Sequence, residues 1–266
     1  MIEYKIRKIL RNYKKATLVF DKLVKNSTIN SWLKNSERLS RKDMTNRHDK
    51  LHALTVTSFS LQIFEILRET RHLEPIVIGK SSGPPYEDAL IVSLTSSYCH
   101  DLARGLEKHS EKVSAILIDL LKEVGIPNDL LQELVPLIIQ CAETHGGDKK
   151  ASFQEGGILM LADGADCDEH RVQHGFKDVD VLRNGLASGK SPIHYFSCKA
   201  IKEVKVLEQP SGNRPLLFSF SIKGGAAAFQ LEDFMKRLKN STLESLVQVN
   251  IRWGEHDLTV WPSVTL

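Results

Sequence analysis

Apolar residues along the first two-thirds of the chain recur at helical spacing. In residues 1–25 they form one face and lysines and arginines occupy the remaining face, which predicts one basic amphipathic helix. A second stripe over residues 48–67 predicts a helix whose inward face begins with His48 and His52, one turn apart. A single inward histidine is most often a core residue with a satisfied hydrogen bond. That interpretation is weaker for two histidines on the same apolar face.

Further helices are expected at about residues 89–101, 108–123, 129–144 and 153–167. Glu87 and Asp88 suit the first turn of the first of these, where the helix dipole favours negative charge. Glycine and proline residues interrupt the pattern between them. The first two-thirds of the chain is therefore predicted to be all-α.

The pattern changes after residue 201, where apolar and polar residues begin to alternate as in half-buried strands. The succession predicts two strands, a helix and two more strands. The fold class is thus mainly α with a small C-terminal α+β domain. We expect a basic helical N-terminal extension over residues 1–45, a helical domain over 46–185 and the α+β domain over 186–266, connected through Gly185–Pro192.

Length and composition agree with a globular protein of one or two domains, since 266 residues contain 41% hydrophobic and 26% charged residues. The four cysteines form no CxxC pair, and no apolar run approaches the length of a membrane span or a secretory signal. These features predict a cytoplasmic protein with no disulfide framework and no membrane partner.

The net charge of +3 conceals an uneven distribution. Residues 1–50 contain 14 Lys and Arg against 5 Asp and Glu, which leaves 22 against 28 for residues 51–266. A basic segment of this kind can contact nucleic acid. It can equally be a helix packed on the body of the protein with its charges in water, and the sequence leaves both interpretations open.

The dipeptide His-Asp occurs three times, at 48–49, 100–101 and 256–257. The pair at 256–257 is most simply a surface turn. His100 and Asp101 instead close a strongly apolar helix, where a carboxylate is costly unless it is paired or bound to a metal. Asp163 and Asp166 follow another apolar run, and His145 ends a third helix.

Imidazoles and carboxylates from separate helices can converge on one divalent ion. A mixed nitrogen and oxygen donor set without thiolate suits manganese, iron, nickel, cobalt or magnesium, with zinc also compatible. The sequence therefore predicts a site for one or two divalent metal ions.

The order of these motifs resembles the HD superfamily of metal-dependent phosphohydrolases, whose pattern is H…HD…D. The resemblance covers roughly residues 46–172 and rests on His52, on Cys99-His100-Asp101-Leu-Ala-Arg104 and on Leu161-Ala-Asp163-Gly-Ala-Asp166. With Thr144-His145, Arg171, Pro192-Ile-His194 and Phe229-Gln, the whole chain is similar to an archaeal-type subgroup with a C-terminal α+β extension.

The resemblance implies an HD-type helical bundle in which His52, His100, Asp101 and Asp163 hold the metal. His48 competes with His52 as the first ligand. Asp101, His145 and Arg104 would act in catalysis, His145 as a second-metal ligand or a phosphate contact. Two more residues are additional candidates: Asp166 for the metal and Arg171 for phosphate.

The expected activity is hydrolysis of a nucleotide or related phosphate ester. The alternative is a metal-stabilised module that senses a nucleotide or binds nucleic acid through residues 1–50 without catalysis. A homo-oligomer is compatible with either function.

Overall fold

The computed structural model describes residues 2–79, 84–102, 109–172, 175–188, 192–209 and 213–261. The first eight helices in these ranges are α1 (Ile2–Leu10), α2 (Lys14–Lys25), α3 (Ser27–Lys42), α4 (Lys50–Glu69), α5 (Glu87–Cys99), α6 (His109–Glu123), α7 (Asn128–Thr144) and α8 (Gln154–Ala165). They are followed by α9 (Asp178–Ser188), α10 (Ile193–Lys199), β1 (Ile201–Glu208), β2 (Leu216–Ile222), α11 (Ala228–Asn240), β3 (Val247–Trp253) and β4 (His256–Trp261). The fold is mainly helical with a small C-terminal sheet, as predicted.

The N-terminal segment forms two helices, so the prediction of one helix over residues 1–25 was wrong. The carboxylate of Glu87 accepts hydrogen bonds from the backbone N–H groups of Lys15 (2.7 Å) and Ala16 (3.3 Å), and it thereby caps the start of α2. These amides have no partner within their own helix. Periodicity cannot reveal a cap that comes from a residue more than 70 positions away.

The N-terminal helices pack against the body of the protein through their apolar faces. Ile6, Leu10, Val19 and Phe20 are fully buried and belong to the same hydrophobic core as α4 and α5. Most of the lysines and arginines of these helices remain exposed. Packing accounts for the amphipathic pattern, and contact of residues 1–50 with nucleic acid stays a prediction.

Helix α5 lies at the centre of the helical part, in contact with α2, α4, α7 and α8. All of its residues are buried, including polar ones such as Ser93 and Thr95. Its C-terminal end therefore lies inside the protein, and that end carries His100 and Asp101.

Helix α4 begins at Lys50, two residues later than the stripe of apolar positions predicts. Asp49 is the N-cap, and its side chain accepts hydrogen bonds from the N–H groups of Leu51 and His52. His48 precedes the helix and therefore does not share a helical face with His52. The prediction that they lie one turn apart on α4 was wrong.

The C-terminal sheet has the strand order β1-β2-β3-β4. Strands β1 and β2 are antiparallel, α11 crosses over to bring β3 parallel to β2, and β4 pairs antiparallel with β3. Phe218 and Phe220 of β2 pack on Phe234 of α11, which explains the alternation seen in the sequence. The predicted succession of strands and helix is confirmed.

Two local predictions in this part of the chain were wrong. His256 and Asp257 begin β4 instead of forming the turn, which lies at residues 254–255. Gly185 lies within α9 and is not a linker residue. The short helix α10 was not predicted, because seven residues carry too little periodicity to be recognised.

Helix α8 connects the helical part to the C-terminal part. Two glycines seven residues apart, Gly157 and Gly164, lie where a Cβ would come within 2.8 Å of Thr242 and of Arg237. Their lack of a side chain allows the C-terminal part to pack closely on α8.

All four cysteines are free and buried. The sequence predicts no disulfide framework. Among the helices that the structure describes, none combines the length and apolar character needed to cross a membrane.

Candidate metal centre

Four side chains from three helices converge in the interior of the helical part. His52 lies in the first turn of α4, His100 and Asp101 follow the last residue of α5, and Asp163 is near the end of α8. These are the four residues that the resemblance implies as ligands. The structure brings all of them together.

The ligand atoms lie very close to one another. His52 Nε2 is 3.0 Å from His100 Nε2, 3.3 Å from Asp101 Oδ2 and 3.4 Å from Asp163 Oδ1. His100 Nε2 is 3.4 Å from Asp101 Oδ2 and 3.5 Å from Asp163 Oδ1. Both histidine side chains are only 1% exposed, so the cluster is buried.

The other nitrogen of each imidazole is already engaged. His100 Nδ1 lies 2.8 Å from the carbonyl oxygen of Ser97, and His52 Nδ1 lies 2.6 Å from Asp166 Oδ2. A carbonyl only accepts, so His100 Nδ1 carries the hydrogen, and in the neutral ring Nε2 presents its lone pair to the cluster. A carboxylate behind His52 fixes that ring in the same way.

Two imidazole nitrogens and two carboxylate oxygens that face one another require a positive charge between them. Burial lowers the pKa of His100, but the Asp101 and Asp163 carboxylates outweigh this effect and raise the pKa well above its usual value. Burial likewise raises the pKa of Asp101, but the charge of His100 outweighs it and holds that pKa far below its usual range.

The distances between the two imidazole nitrogens, and from each nitrogen to each carboxylate oxygen, are close to those in a coordination sphere. For metal–ligand bonds of about 2.1 Å, neighbouring ligands are about 3.0 Å apart in an octahedral site and about 3.4 Å apart in a tetrahedral one. The distances of 3.0–3.5 Å fall in this range. His52, His100, Asp101 and Asp163 can therefore hold a divalent metal ion, for which the donor set and spacing fit.

His145 lies beside the cluster at the end of α7. Its Nε2 is 3.9 Å from Asp101 Oδ1, and its Nδ1 lies 2.5 Å from the carbonyl oxygen of Ala142. Burial, together with the charge of His100, lowers the pKa of His145. In the neutral ring Nδ1 carries the hydrogen, and Nε2 has no hydrogen-bond partner among the described residues, so it suits a metal ligand or a proton acceptor better than a phosphate contact.

The remaining predicted residues occupy different positions. His48 Nε2 is 3.8 Å from Asp101 Oδ2, and His48 does not belong to the groups of described residues that could surround one ion. It lines the cavity beside the cluster. Arg104 lies outside the described residues.

Asp166 and Arg171 lie behind His52. Asp166 Oδ2 accepts from His52 Nδ1 and, at 2.8 Å, from Arg171 Nη1. The Arg171 side chain is 10% exposed. Asp166 therefore contacts the far side of the His52 ring and is paired with Arg171.

A cavity of about 410 Å³ opens next to the cluster, between the helical and C-terminal parts. Asp101, His145 and Asp163 line one side. The opposite side comes from α10 and α11 and includes His194, Gln230, Asp233 and Arg237. Its volume is within the usual range for small-molecule sites.

Sequence reasoning did not identify Arg237, which donates to Asp163 Oδ2 at 2.8 Å. The visible signal is an Asp233/Arg237 pair at i, i+4, and the structure confirms that these side chains are paired. That spacing is common on solvated helix faces, so it does not distinguish a functional arginine from a surface one.

Comparison with known proteins identifies one similar chain. The sequence is 22% identical over 256 residues to an uncharacterized protein of Methanocaldococcus jannaschii, and the match covers 94% of this chain and 93% of the relative. No family model matches the sequence. No solved structure matches it either.

Proposed function

We propose that this protein is a metal-dependent phosphohydrolase of the HD type that acts on a nucleotide or related phosphate ester. The main support is the convergence of the His52 and His100 imidazoles, 3.0 Å apart, with the Asp101 and Asp163 carboxylates, each of which lies 3.3–3.5 Å from both rings. The motif order of the sequence and the adjacent cavity of about 410 Å³ add to it.

The geometry favours a single ion. Among the residues that the structure describes, two groups of side chains can surround a metal: His52 with His100 and Asp101, and His100 with His145 and Asp163. They share His100, whose Nε2 has only one lone pair to give. The nitrogen and oxygen donors are compatible with manganese, iron, nickel, cobalt, magnesium or zinc.

When bound, such an ion lowers the pKa of a coordinated water and offsets charge on the phosphoryl oxygens. The chain supplies the remaining functions. His145 lines the cavity with an unprotonated Nε2 that can accept a proton. Asp166 and Arg237 hold His52 and Asp163 in place.

Metal analysis combined with hydrolysis assays tests this proposal. The purified full chain is expected to contain about one divalent ion and to hydrolyse phosphate esters, nucleotides among them. Removing one of four ligands in His100→Ala or Asp163→Ala should abolish both properties. His256→Ala is a matched control, because it alters the same His-Asp dipeptide at an exposed strand.

Two results together would overturn the proposal. They are the absence of a bound divalent metal in the purified chain and an unchanged rate of phosphoester hydrolysis in both ligand variants. The His256→Ala protein must retain the metal and the activity for the comparison to apply.

A further inference from the structure

Arg237 connects the C-terminal part to the candidate metal centre. Arg237 of α11 donates from Nη1 to Asp163 Oδ2 at 2.8 Å and to the backbone carbonyl of His145 at 2.7 Å. Its Nε donates to Asp233 Oδ2 at 2.8 Å. The guanidinium therefore joins a candidate ligand, the end of α7 and its own helix, and its side chain is only 14% exposed.

The protein has a slot built around this side chain. A Cβ on Gly147 would lie 2.8 Å from Arg237 Cγ, and a Cβ on Gly164 would lie 2.8 Å from Arg237 Cδ. Atoms essentially never approach so closely without a shift of the neighbour. The arginine stem thus passes between two positions that only glycine fits, one after α7 and one on α8.

The two oxygens of Asp163 face in different directions. Oδ1 lies 3.4 Å from His52 Nε2 and 3.5 Å from His100 Nε2, while Oδ2 accepts from Arg237. A carboxylate held through one oxygen keeps the other directed at the cluster. Orientation of a ligand by a neighbour in this way is typical of metal sites.

We propose that Arg237 is a positioning residue that orients Asp163 and fixes the end of α7 at His145, so that the C-terminal part is required for tight metal binding. This inference rests on the proposed metal site. It assigns the C-terminal α+β part a function in building the centre, in addition to lining the cavity.

The direction in which metal affinity changes when Arg237 is replaced distinguishes a positioning role from a purely electrostatic one. A positive charge next to a metal site repels the cation, so removing it without any other change would strengthen metal binding. Loss of orientation weakens binding instead. A lysine keeps the charge, but a single ammonium group cannot reproduce the planar fork that reaches Asp163, His145 and Asp233 together.

The experiment measures the Mn²⁺ dissociation constant of the full chain by calorimetry, together with the visible spectrum of the Co²⁺ form. Arg237→Met keeps most of the stem and is expected to weaken Mn²⁺ binding about 10- to 100-fold, with Arg237→Lys in between. Lys236→Met is the matched control: it removes a neighbouring positive charge and an exposed ion pair with Asp148, and it should bind as the unaltered chain does.

Equal or tighter Mn²⁺ binding by Arg237→Met, with an unchanged Co²⁺ spectrum, would overturn the inference while leaving the proposed function intact. No metal binding by the unaltered chain would overturn both. If Arg237→Met does not fold, Asp233→Ala decides, because it removes the carboxylate that accepts from Nε. That variant should weaken Mn²⁺ binding several-fold, and unchanged binding would refute the positioning role.

Discussion

His52 and Asp166 are 114 residues apart in the chain, yet His52 Nδ1 lies 2.6 Å from Asp166 Oδ2. Arg171 donates to the same oxygen, so three buried side chains form one row that ends at the candidate metal centre. The row fixes the ring of His52 and directs Nε2 at the other ligands. Asp166, which the sequence suggests as an additional candidate for the metal, thus holds the ring of His52 instead.

Asp166→Asn is expected to weaken divalent metal binding about 10- to 100-fold, because the amide no longer supplies a carboxylate to the His52 ring. Calorimetric titration with Mn²⁺ measures the change. Asp168→Asn is the matched control, since Asp168 caps the N–H of His170 and touches no candidate ligand. Equal affinity in the Asp166 and Asp168 variants would contradict the role given to Asp166.

Glu87→Ala is expected to lower the free energy of unfolding by about 2 kcal/mol, because it removes the acceptor for two backbone amides at the start of α2. Urea denaturation measures the loss. Glu87→Gln keeps an accepting oxygen and should cost about half as much. An alanine variant as stable as the unaltered chain would show that the cap contributes nothing.

Glu155 makes stability depend on pH. Its side chain is fully buried, Oε1 accepts from the N–H of Ile76, and Oε2 has no hydrogen-bond partner among the described residues. Burial raises the pKa of Glu155 from 4.5 to about 7. The folded state therefore binds this proton more tightly than the unfolded chain.

A raised carboxyl pKa gives stability that is complete below about pH 4.5 and is lost as the pH rises to about 7. The loss is on the order of 3 kcal/mol. Glu155→Gln should remove this part of the slope when unfolding free energies are measured between pH 4.5 and 8. Glu255→Gln, at an exposed turn, should keep it. An unchanged slope in the Glu155 variant would refute the assignment.

Gly164→Ala should move the Arg237 side chain without removing its charge, since the added methyl would meet Arg237 Cδ at 2.8 Å and Phe234 at 3.2 Å. We expect Mn²⁺ binding to weaken about 10-fold and stability to fall by about 1–3 kcal/mol. Gly225→Ala, where a Cβ meets nothing within 4 Å, is the control for both measurements. Tight Mn²⁺ binding by the Gly164 variant would show that the slot is not required.

The sequence could predict most of the helices because their apolar faces are large and periodic. The predicted start was wrong for two helices, for different reasons. Asp49 is a local cap that makes α4 begin after His48, and it is visible in the sequence. Glu87 separates α1 from α2 through a tertiary contact that no local pattern contains.

For the candidate site, polar groups at the ends of apolar helices indicated that a metal site was present, because such groups are costly without a partner, and the resemblance to the HD superfamily implied His52, His100, Asp101 and Asp163 as its ligands. The sequence did not indicate how these side chains lie relative to one another. Asp166 and Asp163 are three residues apart in similar surroundings, and only the packing of α4 against α8 decides which faces the cluster and which supports His52.

The sequence by itself thus determined most of the helical and α+β segments, since these depend on local composition and spacing, and its resemblance to the HD superfamily implied the candidate metal ligands. The tertiary structure decided how those residues converge and which others support them. Arg237 shows the difference: its pairing with Asp233 is visible at i, i+4, but its contact with Asp163 spans 74 residues and requires two glycines to clear its path. Such contacts arise only when separate elements pack.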